Sequence, residues 1–239
     1  GCLNRAISSY TFRDLEQAER HLLGFRRFAG HGGMFFEVIF STFLGPLIAL
    51  ERFRKTRSMR YRHRIKREMK KLNRLAREKG LNVVHRLFIV EAVHAATFPK
   101  GLSSDDIRSK FDKAIAGCRR PGYIFDAALA GELSGEYFLR IDDMFWAKHY
   151  LTEATKLYLE WGAKGKAHDL MVRHGSLIEI SEKDGIEMST TRKARHSMAV
   201  RVLNGSSRMA DRSSALSNPN LSADRSRKDD SSGSNDIRS

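Results

Sequence analysis

Apolar residues recur along roughly the first 175 positions at three- and four-residue steps, the period of helices that each bury one face. A first helix is predicted over residues 3–28, with Leu3, Ile7, Tyr10, Leu15, Ala18 and Leu22 on its apolar face and His31-Gly32-Gly33 ending it. From Met34 to Leu50 the apolar residues are nearly continuous, among them Phe35, Phe36, Ile39, Phe43, Leu47 and Ile48. That run is about 17 residues, interrupted by Glu37 and Pro46, whereas a membrane span needs roughly 20 mostly uncharged ones. It therefore reads as a buried core helix that Pro46 kinks or breaks. A polar helix from about Ser58 to Lys79 has only the narrow stripe Ile65, Met69, Leu72 and Ala76 to pack, and Gly80 is its C-cap. Residues 82–97 form another buried helix capped by Asn82, and Pro99-Lys-Gly101 is a turn. Ser103 or Ser104 caps the next helix, with Ile107, Phe111, Ala114, Ile115 and Cys118 as its stripe, and Arg119-Arg-Pro-Gly122 closes it. The last helix runs from Ala163 to about His174 and lays Leu170 and Met171 back on its predecessors.

Between these lies the stretch that organises the chain, residues 128–161. With Ala128 as the first position, Gly135, Phe138, Ala147, Leu151 and Ala154 fall at the small and large positions of a tetratricopeptide repeat of about 34 residues, although Gly131 stands where that repeat carries Trp. Small residues let two antiparallel helices approach closely, while Phe138 and Leu151 fill the seam and Trp161 completes the packing set. Asp142 and Asp143 open the second helix, where a carboxylate accepts from free backbone donors. The expected fold is all-α: antiparallel helix pairs stacked as a tetratricopeptide-like α-solenoid over residues 1–178.

Past Ile180 aromatic residues disappear and Ser, Asp, Arg, Asn and Gly dominate, so the segment buries too little apolar area to offset its ordering entropy. Residues 179–239 are accordingly expected to be a disordered tail. Cys2 and Cys118 lie far apart, which fits a reducing, cytoplasmic setting rather than a disulfide framework. Gly1-Cys2-Leu3-Asn4 runs straight into a helical pattern with no signal-peptide grammar, which suggests a piece of a longer chain.

Residues from about 66 to 178 resemble the helical region of large predicted-ATPase, multi-sensor signalling kinases. The echoes are Met69-Lys-Lys-Leu-Asn-Arg-Leu-Ala76, Val84-His-Arg-Leu-Phe-Ile-Val-Glu-Ala92, Phe111-Asp-Lys-Ala-Ile-Ala116, Asp126-Ala-Ala-Leu-Ala-Gly-Glu-Leu133 and Tyr158-Leu-Glu-Trp-Gly-Ala-Lys-Gly-Lys-Ala167. In that family a kinase-like domain and a nucleotide-binding ATPase domain precede a stack of tetratricopeptide-like helix pairs, and a sensor and an output domain commonly follow. The resemblance implies the end of the helical stack, a segment that links and transmits. The chain departs from the family in its strongly basic helix and in carrying a tail in place of a sensor.

No catalytic constellation is visible. Gly162-Ala-Lys-Gly-Lys-Ala167 lacks the spacing and hydroxyl of a phosphate-binding loop, and no kinase catalytic loop or Asp-Phe-Gly segment occurs. Glu91 and His94 have the spacing of a carboxylate-bridged metal site but lack a second copy, so His94 reads as a packed or solvated helix residue. Glu132 and Glu136 read as like charges on an exposed helix face, and His168 and His174 share no face at metal spacing. No cofactor or metal is expected.

Charge changes the picture most. From Arg52 to Lys79 fourteen basic residues stand against Glu68 and Glu78, a net +12 of the chain's +15. Such a run is a solvated face with basic stems over apolar surface, a contact for an acidic partner or for acidic domains of the parent chain, or a site for nucleic acid or anionic membrane. Arg60, Arg64, Arg67 and Lys71 follow three- and four-residue steps and are expected to share one contact face. Aromatic interleaving is limited to Phe53 and Tyr61, which supports a base-stacking platform poorly. The expected function is a non-catalytic helical scaffold or relay that makes protein contacts, docking a partner on its concave face. The alternative is polyanion binding through the basic helix 52–79.

Overall fold

The computed structural model describes residues 1–28 and 35–180; the tail expected over 179–239 therefore lies almost wholly outside the described residues. Among the described residues the chain is helical, with no strand. In order, the helices are α1 (Cys2–Thr11), α2 (Leu15–Phe28), α3 (Phe35–Thr56), α4 (Met59–Lys79) and α5 (Leu81–Thr97). Then come α6 (Ser104–Arg119), α7 (Ile124–Arg140), α8 (Met144–Trp161) and α9 (Lys164–His174). None is long and apolar enough to cross a membrane.

Short connections fold successive helices into antiparallel pairs, α1–α2, α3–α4, α5–α6 and α7–α8, with α9 on α8. The first member of each pair packs on the next pair's first member, α1 on α3, α3 on α5 and α5 on α7, which is the repetition of a helical solenoid. In two of these inner helices the burial is continuous: Phe43–Glu51 in α3 and Asp126–Gly135 in α7 have no solvent-facing position. Both runs exceed two turns, so neighbours cover the helix on every side. Around α7 the expected open concave face is therefore closed, by the α1–α2 corner and by α9.

Local chemistry sets the helix ends. Ser103 caps α6 through a reciprocal box, Asp106 N donating to Ser103 Oγ at 3.1 Å and Ser103 N donating to Asp106 Oδ2 at 2.9 Å. Gly80, at φ 57°, both ends α4 and precedes α5, so Asn82 falls inside α5 instead of capping it. Asp143 caps α8 by accepting from Trp146 N at 3.1 Å, whereas Asp142 adopts φ 62° just before it and caps nothing.

The first helix is two helices, because Asp14 accepts from Gln17 N at 3.0 Å and starts a new one, with Arg13 left-handed at φ 67° between them. Asp14 followed three residues on by Gln17 is the sequence signal for that start. Of the kink or break expected at Pro46, the break does not occur, and α3 continues to Thr56. The missing N–H costs the Thr42 carbonyl its donor, but burial of both halves of the helix outweighs that loss.

Between α7 and α8 the close approach is made by glycine. A Cβ on Gly135 would lie 2.6 Å from Leu151 Cγ, and one on Gly131 would lie 3.2 Å from Ala154 Cβ. Phe138, Ala147, Leu151 and Ala154 are buried in that seam, with Phe138 stacked on Tyr150 at 5.6 Å. Trp161 is not part of it: its side chain is 55 % exposed and packs on Phe125, at the edge of an apolar groove of about 390 Å3 between α1 and the α8–α9 corner.

Candidate functional site

Three clusters of charged side chains emerge from the packing, and they differ in whether their charges are used up internally. The first is centred on Glu132, which is 1 % exposed instead of lying on a solvated face. Lys166 Nζ donates to Glu132 Oε1 at 2.8 Å and to Asp169 Oδ2 at 2.9 Å, and Tyr158 donates its hydroxyl to Glu132 Oε2 at 2.9 Å. Arg173 reaches Glu132 at 2.9 Å and Glu136 at 2.8 Å, while Arg13 approaches the same two carboxylates at 3.5 and 3.3 Å. His174 Nε2 lies 3.2 Å from Glu136. Burial, and next the Glu132 charge, push the Tyr158 hydroxyl pKa well up, so it stays a proton donor. Three acids are thus met by three permanent cations from the α1–α2 corner and α9, an internal lock that clamps the N-terminal pair onto the last repeat.

The lock carries a pH signature. Burial alone would raise the Glu136 pKa, but the His174 hydrogen bond and the charges of Arg13, His174 and Arg173 outweigh it and hold the carboxyl below its usual range. Asp169 is likewise lowered against burial by Lys166 and Arg173. Folded-state values below the unfolded ones mean stability that is present above the unfolded pKa, roughly 4, and lost as pH falls through the folded values. The urea midpoint is expected to fall steadily below about pH 4. A midpoint that rises on acidification there would count against the lock.

The second cluster joins α5 to α7. Asp126 Oδ2 takes His85 Nε2 and Arg86 Nε, both at 2.9 Å, all three side chains being buried. His85 stacks on Tyr123 at 4.0 Å and Arg86 lies 3.9 Å from the Phe40 ring centroid. Burial, and then the Asp126 charge, push the nearby Cys118 thiol pKa up, which opposes formation of the nucleophilic thiolate. The cluster is a polar tie within the core. Its signal in the sequence was a His-Arg pair inside an otherwise apolar helix, and that signal was missed.

Only the third cluster leaves charge facing solvent. Helix α4 buries Tyr61, Ile65, Leu72 and Ala76, and with them Arg64 and Glu68. Arg64 is therefore not part of an exposed contact face: it is 8 % exposed and ion-paired with Glu19, which also holds Arg52 at 3.1 Å and accepts from the Tyr61 hydroxyl at 3.1 Å. Glu68 takes Arg26 at 2.9 and 3.0 Å, and that guanidinium also donates to the Ser41 carbonyl at 2.6 Å. These buried pairs fix α2, α3 and α4 together. The free face is displaced around the helix from the expected one. It carries Arg60, Arg67 and Lys71, and through its middle Lys66, Lys70 and Arg74, with Arg77 in the last turn.

Grooves flank that face on both sides. Against α3 lies one of about 450 Å3 lined by Arg67, Lys70, Lys71 and Arg74, with Glu78 at its end. Against α5 lies one of about 550 Å3 lined by Arg62, His63, Lys66, His94, Phe98 and Lys100 with apolar neighbours. His94 thus faces a cationic groove, and burial lowers its pKa. Among the described residues no group of three or more His, Cys, Asp or Glu is gathered as a metal site. No known protein family, characterised protein or solved structure matches this chain.

Proposed function

We propose that this chain is a non-catalytic helical-repeat module that acts in the cytoplasm as a scaffold or relay of a larger signalling protein, docking an acidic protein surface on the exposed face of α4. The observation that carries the reading is the contrast within α4. Its inward cation, Arg64, is neutralised inside the fold, while the outward ones stand in water along a 21-residue helix, about 31 Å, with Glu78 as the acid among them. Exposed charge of one sign contributes little to folding and much to steering an oppositely charged partner. Tyr61 points inward, so α4 itself offers no row of rings on which successive bases would stack, which favours a protein partner over single-stranded nucleic acid. The likeness of residues 66–178 to the helical stack of multi-sensor kinases supports the relay role.

Changing Arg67, Lys70, Arg74 and Arg77 to Glu is expected to leave the stability within about 1 kcal/mol of wild type, because exposed pairs are worth little. The same change should abolish nuclease-resistant capture of acidic proteins at moderate salt. Recovery of the same proteins by both versions would refute the docking face. Recovery of nucleic acid alone, with strong salt dependence, would move the function to polyanion binding.

A further inference from the structure

We propose that the groove between α4 and α5 binds a phosphorylated ligand bearing one flat apolar group, of the nucleoside-phosphate class. Inside this fold cations are matched to carboxylates: Arg26 to Glu68, Arg64 to Glu19, Arg86 to Asp126 and Lys166 to Glu132. The α4–α5 groove breaks that pattern. Arg62 and Lys66 from α4 and Lys100 from the α5–α6 turn line one cavity with His63 and His94, and no carboxylate lines it. Among the described residues none of the three cations has an ion-pair partner, in contrast to the α3 side, where Glu78 closes the groove and pairs with Arg74 at 3.0 Å.

Like charges gathered around a cavity repel one another, and an anion seated between them removes that repulsion while releasing bound counterions. The cation supplied by the turn is held in place. Leu102 N donates to the Pro99 carbonyl at 3.0 Å, Lys100 N to the Phe98 carbonyl at 2.8 Å, and Gly101 takes the φ of 70° that the turn requires.

The three cations and two histidines account for the polar part of the lining. The remainder is Phe98, Met59 and Ile65, with the Phe98 ring 5.0 Å from the His94 ring one helical turn earlier. A bare inorganic anion would leave this aromatic wall unused, whereas a base attached to a phosphate fills both halves. A volume of about 550 Å3 lies in the range of small-molecule sites. The site shares Lys66 with the exposed face of α4 but none of Arg67, Lys70, Arg74 and Arg77, so reversing those four charges tests the docking face while leaving the groove lining intact.

Calorimetric titration of the whole chain in magnesium-free buffer with adenosine diphosphate, pyrophosphate and adenosine, each alone, tests the assignment. The diphosphate nucleotide is expected to bind saturably at one site, pyrophosphate at least tenfold more weakly, and adenosine not measurably. Lys66→Glu with Lys100→Glu, both at exposed positions, should weaken nucleotide binding at least tenfold. Phe98→Leu should reduce the nucleotide to the affinity of pyrophosphate, with the melting temperature recorded beside it. The variant at Arg67, Lys70, Arg74 and Arg77 should bind the nucleotide within about threefold of wild type. Absence of saturable binding, equal affinity for nucleotide and pyrophosphate, or equal loss in the two charge-reversed variants would overturn the proposal.

Discussion

Glu132→Ala is expected to lower the unfolding free energy by about 3–5 kcal/mol, because it leaves the buried Lys166 ammonium beside Arg173 and Arg13 with their shared counter-charge gone. Lys166 is 3 % exposed, Arg173 reaches in from an exposed position on α9, and both take Glu132 Oε1 at under 3 Å. Asp169 remains for Lys166 and Glu136 for Arg173, but the Tyr158 hydroxyl loses its acceptor where water is excluded. Removing both partners together is a different experiment. Glu132→Leu with Lys166→Met removes the fully buried pair together and leaves Arg173 and Arg13 to Glu136, so it is expected to cost clearly less than the single change, because no unpaired ammonium stays in the core. Urea unfolding of the two variants therefore separates a broken pair from an absent one. If Glu132→Ala fails to fold, the double variant still decides the matter: a folded double variant with a measurable midpoint supports the buried pair, and failure of both in the same way counts against it. A single-variant loss under about 1 kcal/mol would show that Glu132 is solvated and that the α1–α2 corner is not clamped to α7 and α9.

A second large effect lies in the α7–α8 seam. Gly135→Ala places a methyl 2.6 Å from Leu151 Cγ and 3.2 Å from the Leu151 backbone nitrogen, so both a side chain and a helix must give way. The expected loss is about 1–3 kcal/mol from overpacking, against the roughly 0.5–1 kcal/mol that alanine gains over glycine in a helix. Gly24, inside α2, is the control, since nothing lies within 4 Å of its added Cβ and the same replacement should stabilise by roughly 0.5–1 kcal/mol. Opposite signs in thermal melts of the two variants are the expected result. Stabilisation by both would mean that α7 and α8 are not in contact at Gly135.

The helices themselves were legible in the pattern of apolar positions, because the spacing of Ile107, Phe111, Ala114 and Cys118, or of Ile65, Leu72 and Ala76, is set by 3.6 residues per turn whatever the helix packs on. Their ends were legible where a side chain close in sequence makes the cap, as at Ser103, or where glycine takes a positive φ, as at Gly80. The break between α1 and α2 is the exception that follows the same logic, since it rests on Asp14 and Gln17 and a closer reading of those two residues would have placed it.

The fate of each charge was not legible. Arg60, Arg64, Arg67 and Lys71 are alike in spacing, yet Arg64 belongs to the core because Glu19, 45 positions earlier, meets it there. Glu132 and Glu136 look like a repelling surface pair until Arg13 and α9 arrive to neutralise them; Lys166 comes from 34 positions away. Periodicity reports which face of a helix turns to its own partner and says nothing about a neighbour that covers the opposite face, as happens around α3 and α7. By itself, then, the sequence determined an all-α chain, the positions of its helices and a basic α4. Only the tertiary structure decided which cations are neutralised inside and which remain in water, because burying a charge is tolerable only where a distant partner and several hydrogen bonds converge on it.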